Sequence, residues 1–292
     1  MSIEPDYCRV SLNGEDFNYL DWGGTGPLMH ISHSIGFCAG IYTPFALQLK
    51  KICSVVAMDS RGHGKTRAVA DPARLKSWNI LYRDLENFFD YLNRPLIAFG
   101  HSMGGTISLV AAAKRPERVR ALILIEPGLM PPSWTATVFL LQKLRLTSWV
   151  PAISKIAGRP SCWPDFPAAE NYFSSRNLYS TWERSYVKAF LKSNLTERKD
   201  RVELRCNPKW ESRCIATAPT NIWKFVAGIH IPTLIIHASG STTFLPNVVR
   251  KLKKDMPHAV LVRLEGGHNL IMERPNEVLT VITEFLETNK LH

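Results

Sequence analysis

A serine flanked by glycines is the clearest chemical feature of this 292-residue sequence. Residues 100–105 read Gly-His-Ser-Met-Gly-Gly, a G-x-S-x-G pattern centred on Ser102. An apolar run at 95–99 precedes it and a run of small residues at 106–114 follows it, which predicts a strand, a sharp turn and a helix. Glycines are expected at 100, 104 and 105 because a Cβ atom there would collide with neighbouring backbone. Such a turn presents the hydroxyl beside the positive end of a helix, so we predict that Ser102 is a catalytic nucleophile.

A serine hydroxyl is a weak nucleophile until a base removes its proton. Among the nine histidines, His268 is the best placed, because it lies in a Gly-Gly-His turn directly after the last predicted core strand. We predict that His268 is the general base. His101 is adjacent to the serine and is expected to pack beside the site, whereas His33 and His63 lie in nearby loops and are expected to form structural hydrogen bonds.

Alternating strand and helix patterns surround the serine turn. Two short alternating segments flank Asn13-Gly14, which predicts an N-terminal hairpin. Apolar strands are predicted at 28–31, 52–58, 95–99, 119–125, 231–237 and 259–264, and helices at 42–51, 77–93, 106–114, 246–255 and 275–288. This alternation predicts the α/β class, with a mostly parallel central sheet and helices on both faces. Chemistry in such folds lies beyond the carboxyl ends of the strands, where His33, Asp59, Ser102 and Glu126 all fall.

The alternation stops at Met130 and resumes near Ile231. The intervening stretch carries six of the eight tryptophans and scattered prolines. We therefore predict a core formed by residues 1–129 and 229–292, and a mostly helical lid subdomain inserted at 130–228.

Three motifs in this order resemble the α/β-hydrolase family. They are Gly-His-Ser-Met-Gly-Gly at 100–105, Asp-Ser-Arg-Gly-His-Gly at 59–64 and Gly-Gly-His at 266–268. The resemblance covers essentially the whole chain outside the predicted lid. It implies an α/β-hydrolase fold, a serine–acid–histidine triad that needs neither metal nor cofactor, and a structural role in a turn for Asp59.

The acid of the triad departs from the usual family pattern. Most members place it after the strand that follows the lid, in a G-x-x-D setting, but residues 237–242 read His-Ala-Ser-Gly-Ser-Thr, and no Asp or Glu occurs from Ser212 to Lys254. Glu126, at the end of the strand after the nucleophile's helix, is predicted to replace it. This placement is similar to that in zearalenone-type lactone hydrolases and in hydrolases of fungal polyketide and toxin pathways. A Ser–His dyad, or Asp59 as a reserve acid, are the alternatives.

Acyl transfer also needs two hydrogen-bond donors for the oxyanion. One is expected to be the backbone N–H of Met103, directly after the nucleophile. The loop at 33–36 resembles the family's His-Gly oxyanion loop with a serine in the glycine position. Either Ser34 or Ile35 is therefore the second donor.

The net charge of +11 is unevenly distributed. The predicted lid holds 15 Lys/Arg against 7 Asp/Glu, a net +8. A solvated basic face explains this charge best. Attraction of an anionic small substrate is at least as good an explanation as nucleic-acid binding, because no nucleic-acid motif accompanies the charge. No apolar run approaches the roughly 18 residues of a membrane span, and the sequence begins without a signal-peptide pattern. We expect a cytoplasmic protein, with a peroxisomal location as a weak alternative, six reduced cysteines, a small-molecule substrate and a monomeric or homodimeric state.

Together these features predict hydrolysis of an ester, lactone or acyl-thioester bond in a bulky, polyketide-like molecule of secondary metabolism. A serine nucleophile argues against epoxide hydrolysis and dehalogenation, for which similar family members use an aspartate. A carbon–carbon bond hydrolase or cyclase, and a ligand receptor of the same fold, remain alternatives.

Overall fold

The computed structural model describes residues 4–291. Met1–Ile3 and His292, at the two ends of the predicted core, lie outside the described residues. The expectations about a signal peptide and about a peroxisomal location rest partly on these residues. Within the described range, no helix combines the length and the hydropathy that crossing a bilayer requires.

The chain up to residue 125 alternates strands and helices as predicted. A hairpin of β1 (Asp6–Leu12) and β2 (Glu15–Gly23) turns at Asn13-Gly14, where both residues have positive φ. The elements that follow are β3 (Leu28–Ser32), a 3-10 turn (Ala39–Tyr42), α1 (Thr43–Leu49), β4 (Ser54–Met58), α2 (Asn79–Leu92), β5 (Leu96–His101), α3 (Met103–Lys114) and β6 (Val119–Ile125).

The inserted segment, residues 130–228, contains both helices and strands. Its elements are α4 (Thr135–Lys143), a 3-10 turn (Thr147–Trp149), α5 (Pro151–Ala157), β7 (Cys162–Trp163), α6 (Phe166–Ser174), α7 (Asn177–Ser180), α8 (Arg184–Asn194), β8 (Leu195–Glu197), β9 (Val202–Leu204), α9 (Pro208–Ala216) and α10 (Trp223–Val226). The three strands form a small antiparallel sheet in the order β7-β9-β8. The sequence did not predict this sheet, because strands of two or three residues are too short for an alternating pattern.

The chain after the insertion returns to the core. It forms β10 (Thr233–Ala238), α11 (Pro246–Asp255), β11 (Val260–Leu264), α12 (Leu270–Glu273) and α13 (Pro275–Thr288). The strands and long helices of the core lie within three residues of their predicted bounds. The short α12, directly after the Gly-Gly-His turn, was not predicted.

The central sheet has eight strands in the order β1-β2-β4-β3-β5-β6-β10-β11. The strands from β4 to β11 in this order are parallel, and β1 and β2 pair in antiparallel fashion. The carboxyl ends of β5, β6 and β10 are therefore adjacent at one edge. Residues that follow these three strands meet there.

Apolar cores on both faces hold the sheet in place. Phe45 of α1 and Ile282 of α13 are buried on one face. Leu85 of α2, Leu109 of α3 and Leu252 of α11 are buried on the other. Burial on both faces explains why the central strands read as continuous apolar runs rather than alternating ones.

Candidate active site

Ser102 occupies the tight turn between β5 and α3. Its backbone has φ 54° and ψ −115°, a strained conformation for a residue other than glycine. The Ser102 N–H donates to the Ile125 carbonyl at 3.0 Å, which ties the turn to the end of β6. The sheet thus holds the serine rigidly at the edge where β5 and β6 end.

Close backbone contacts explain the glycines of this turn. A Cβ atom at Gly104 would collide with the Ser32 carbonyl oxygen, and one at Gly100 would collide with the Gly104 backbone. Gly105 is less constrained, since a Cβ there would lie 3.1 Å from its nearest neighbours. The first two glycines let α3 approach the sheet closely enough to form the turn.

His268 forms hydrogen bonds with both Ser102 and Glu126. Its Nε2 lies 2.9 Å from the Ser102 Oγ, and its Nδ1 lies 3.1 Å from Glu126 Oε2. A carboxylate can only accept, so Nδ1 carries the proton and Nε2 is free to accept from the Ser102 hydroxyl. This tautomer is the one that a general base for Ser102 needs.

Glu126 is fully buried, and each of its carboxylate oxygens accepts a short hydrogen bond from a partner at the end of β10. The Ala238 N–H donates to Oε1 at 2.7 Å, and the Ser241 hydroxyl donates to Oε2 at 2.5 Å. Its backbone has φ 46°, a left-handed conformation at the point where the chain leaves β6. Buried charge is costly unless it is paired and hydrogen-bonded, and the partners of Glu126 meet this requirement.

Hydroxyl groups occupy the position after β10 where family members usually have the acid. Gly240 begins the tetrapeptide Gly-Ser-Thr-Thr, in which Thr243 stands where the G-x-x-D pattern has aspartate. The Thr243 Oγ1 lies 3.2 Å from His268 Nδ1 and 3.4 Å from Glu126 Oε2. The sequence did not predict the hydrogen bonds that Ser241 and Thr243 form at this site. The missing aspartate, however, indicated the loop in which both residues lie.

Asp59, the reserve acid, makes different contacts. Its carboxylate accepts from the Ala39 N–H, the Lys65 N–H and the side-chain amide of Asn18, each at 2.8 Å. These bonds fix the loops after β3 and β4. Within residues 4–291, no group of three or more His, Cys, Asp or Glu side chains is arranged to hold a metal ion.

A hydrogen-bonded chain joins the predicted oxyanion loop to the backbone of His268. The Ser34 N–H donates to the Tyr42 hydroxyl at 3.0 Å, and this hydroxyl lies 2.9 Å from His101 Nδ1. His101 Nε2 lies 2.9 Å from the His268 carbonyl oxygen. Because a carbonyl only accepts, Nε2 carries the His101 proton and Tyr42 donates to Nδ1. The Ser34 N–H is thus engaged away from the serine.

Neutral histidines fix the loops around the site. Burial, together with neighbouring histidines, lowers the pKa of His101 and of His63 to about 3. The His63 Nε2 accepts from the Gly36 N–H at 3.1 Å, and the His33 Nε2 accepts from the Ser60 N–H at 2.9 Å. Burial likewise lowers the pKa of His33. Each of these three rings must stay unprotonated on one nitrogen to keep its bonds.

Replacing Tyr42 with phenylalanine is expected to lower kcat about tenfold with little change in KM. The change leaves the Ser34 N–H and His101 without a shared partner, a loss on the order of 1 kcal/mol that misplaces the oxyanion loop and His268. Steady-state kinetics on a soluble ester measure the effect. Tyr82→Phe is the matched control, because the buried Tyr82 hydroxyl has no hydrogen-bond partner in the described part of the chain. Equal kcat values for the two variants would contradict a positioning role.

The inserted segment contacts the predicted oxyanion loop through Glu211 of α9. Gly36 has φ +74°, and the Glu211 carboxylate packs so closely on it that a Cβ at position 36 would lie 2.9 Å away. Burial raises the pKa of Glu211, whereas its ion pair with Arg159, at 2.5 Å, acts in the opposite direction. The inserted segment therefore covers part of the loop next to the serine.

A serine on a strained strand–helix turn, bonded to a histidine and a buried carboxylate at the edge of a parallel sheet, defines a hydrolase-type site. Residues 34–275 match the family profile described as the alpha/beta hydrolase fold. The match spans most of the chain, and the protein therefore belongs to the α/β-hydrolase family.

Individual relatives agree with this assignment. The rat (Rattus norvegicus) monoglyceride lipase is 34% identical over 155 residues, which are 50% of this chain and 50% of that protein. The chain thus matches about half the length of this relative. The mouse (Mus musculus) sn-1-specific diacylglycerol lipase ABHD11 is 24% identical over 306 aligned positions, covering 98% of this chain and 92% of that protein. The crystal structure of E-2-(acetamidomethylene)succinate hydrolase superposes with a TM-score of 0.78 at 20% identity, over 97% of this chain and 100% of that one.

Proposed function

We propose that the protein is a serine hydrolase that cleaves carboxylic ester, lactone or thioester bonds through an acyl-enzyme. The observation that carries this proposal is the continuous hydrogen-bonded chain from Ser102 through His268 to Glu126. Two relatives bear the names monoglyceride lipase and diacylglycerol lipase, which supports ester cleavage as the reaction class.

In the first step, His268 Nε2 removes the proton from the Ser102 hydroxyl while the Ser102 Oγ attacks the carbonyl carbon. Glu126 stabilises the imidazolium that forms. His268 then gives the proton to the leaving oxygen or sulfur, which departs as an alcohol or thiol and leaves an acyl-serine. A water molecule, activated by the same histidine, attacks the acyl-serine, and the acid is released with Ser102 restored.

The tetrahedral intermediate carries an oxyanion that needs two donors. The Met103 N–H, at the first position of α3, is the first donor in this proposal. Because the Ser34 N–H donates to Tyr42, the Ile35 N–H is the better candidate for the second. Glu211 packs against the neighbouring Gly36, so the inserted segment would hold this loop in place.

For the substrate, we propose a bulky molecule with an apolar body, of the polyketide type found in secondary metabolism. The tryptophan-rich, basic segment 130–228, acting as a lid over a core of 1–129 and 229–292, supports this choice. So does the resemblance of the Glu126 position to that in zearalenone-type lactone hydrolases. A net charge of +8 on the lid would favour substrates that carry a carboxylate.

A panel of p-nitrophenyl esters, a macrocyclic lactone and an acyl-thioester tests the proposal, with Ser102→Ala protein prepared in parallel to give the background. Many turnovers per protein molecule above that background support the hydrolase. Release limited to one equivalent or less on every substrate would instead favour a ligand receptor of this fold. Conversion of a β-diketone, but of no ester, would favour carbon–carbon bond cleavage.

A further inference from the structure

Large apolar side chains are exposed on the first part of the inserted segment. Six of them lie on α4, on the 3-10 turn after it and beside these elements, and we call this set the apolar patch: Trp134, Phe139, Leu140, Leu144, Leu146 and Trp149. Trp149 is 81% exposed, and Leu140 and Leu144 are each 57% exposed. Soluble proteins rarely leave so many large apolar side chains together in water, and patches of this kind mark interaction sites.

The apolar character of α4 is not explained by packing within the chain. None of its residues is buried, although Val138, Phe139, Leu140 and Leu141 form a continuous apolar run. The helix is held mainly near its end, where the Gln142 side chain donates to the carbonyls of Ala216 and Ala218. The end of α4 is thereby linked to α9, whereas Phe139 and Leu140 stay exposed among the residues that the structure describes.

The charged residues of the stretch that carries the patch all have the same sign. Lys143, Arg145 and Lys155 are exposed beside the apolar side chains. No Asp or Glu occurs between Pro127 and Pro164. The Lys143 ammonium lies 5.6 Å from the centre of the Phe139 ring, so positive charge and apolar surface are directly adjacent.

We propose that the apolar patch docks the protein onto an anionic lipid bilayer. Trp, Phe and Leu side chains next to Lys and Arg are the combination that lies in the interface of a membrane, with the apolar groups among the acyl chains and the cations at the lipid headgroups. Trp134 and Trp149, at the two ends of the patch, suit the headgroup level, where indole rings concentrate. Docking goes beyond the hydrolase proposal and requires no catalytic residue.

A second copy of the chain fits this surface less well than a lipid bilayer. Symmetric pairing through the patch would bring Lys143, Arg145 and Lys155 of both copies close together. The patch carries no acidic residue to pair with them, and like charges across an interface oppose association. An anionic bilayer supplies both the apolar phase and the opposite charge.

Co-sedimentation of the full chain with large unilamellar vesicles tests the proposal. We expect binding to phosphatidylcholine vesicles that contain about 30 mol% phosphatidylserine. Binding to pure phosphatidylcholine is expected to be weaker by on the order of 100-fold, since each of three cations near the surface contributes about fivefold. Ser102→Ala protein should bind as the wild type does, which separates docking from hydrolysis.

Single substitutions at exposed positions locate the docking surface. Trp149→Glu is expected to reduce vesicle binding at least about tenfold, because it puts a carboxylate among anionic headgroups. Ile52→Glu is the matched control, since Ile52 is an exposed apolar residue at the amino end of β4, outside the inserted segment. The control variant should bind vesicles as the wild type does and hydrolyse a soluble ester at the wild-type rate.

Three outcomes would overturn the proposal. One is wild-type protein that stays in the supernatant with phosphatidylserine vesicles. Another is equal vesicle binding by Trp149→Glu and the wild type. The third is a dimer in sedimentation velocity that Trp149→Glu dissociates while vesicle binding stays at background, which would assign the patch to a second copy.

Discussion

Replacing Glu126 with glutamine is expected to lower kcat for ester hydrolysis by about 10³- to 10⁴-fold, with a much smaller effect on KM. A glutamine side chain can turn its amide N–H toward His268 Nδ1, which then becomes the acceptor. The His268 proton moves to Nε2 and faces the Ser102 hydroxyl, so the ring can no longer take the serine proton. The Glu126→Gln variant would stay folded, but His268 could no longer act as its general base.

Two companion variants make this result specific. Glu265→Gln removes an exposed carboxylate from the same edge of the sheet, where it accepts from the Ser239 hydroxyl, and its kcat should match the wild type. Adding Thr243→Asp to Glu126→Gln puts a carboxylate at a residue whose hydroxyl already lies 3.2 Å from His268 Nδ1. We expect this double variant to recover at least about tenfold of the lost activity. If kcat for ester hydrolysis falls less than tenfold in Glu126→Gln, the protein works as a Ser–His dyad.

Lowering the pH from 7 to 5 is expected to remove on the order of 6 kcal/mol from the free energy of unfolding. Burial lowers the pKa of His30, His63 and His101 to about 3 in the folded protein, whereas an unfolded histidine titrates near about 6.5. Below that pH these histidines bind protons in the unfolded chain but stay neutral in the folded protein. Stability is therefore complete above about pH 6.5 and falls as the pH decreases toward 3, by about 2 kcal/mol per histidine at pH 5.

Urea unfolding between pH 5 and 8 measures this effect. His63→Gln keeps an acceptor for the Gly36 N–H and removes one titrating group, so its stability should depend less steeply on pH, by about one proton. A free energy of unfolding that is constant from pH 7 to 5 would show that the buried rings are protonated without cost.

The strands, long helices and glycine turn could be predicted because local pattern determines them. Continuous apolar runs identify strands buried on both faces, and glycines mark the positions where backbone approaches backbone. Glu126 could be proposed because no acid follows the strand after the predicted lid, and because some α/β-hydrolases place the acid after the strand that follows the nucleophile's helix. Residues that follow adjacent parallel strands meet at one edge, which allows this placement. Its catalytic role stays a prediction until the variants above are measured.

Contacts between distant residues could not be predicted in this way. Hydrogen bonds connect Tyr42, His101 and the His268 carbonyl, which span 226 residues of the chain. No local sequence pattern predicts these contacts. Ser241 and Thr243 look like ordinary turn residues until the fold brings them to Glu126. Whether Ser34 or Ile35 faces the oxyanion depends likewise on the Tyr42 hydroxyl.

The rate at which a fluorophosphonate reacts with Ser102 measures the activation of this serine by His268 and Glu126, and the measurement needs no knowledge of the substrate. Intact mass and peptide mapping identify the modified residue, and the second-order rate constant measures its reactivity. We expect one adduct, on Ser102, that forms at least about 100-fold more slowly in Glu126→Gln and at the wild-type rate in Glu265→Gln. An adduct on another residue, or equal rates for Glu126→Gln and the wild type, would contradict this expectation.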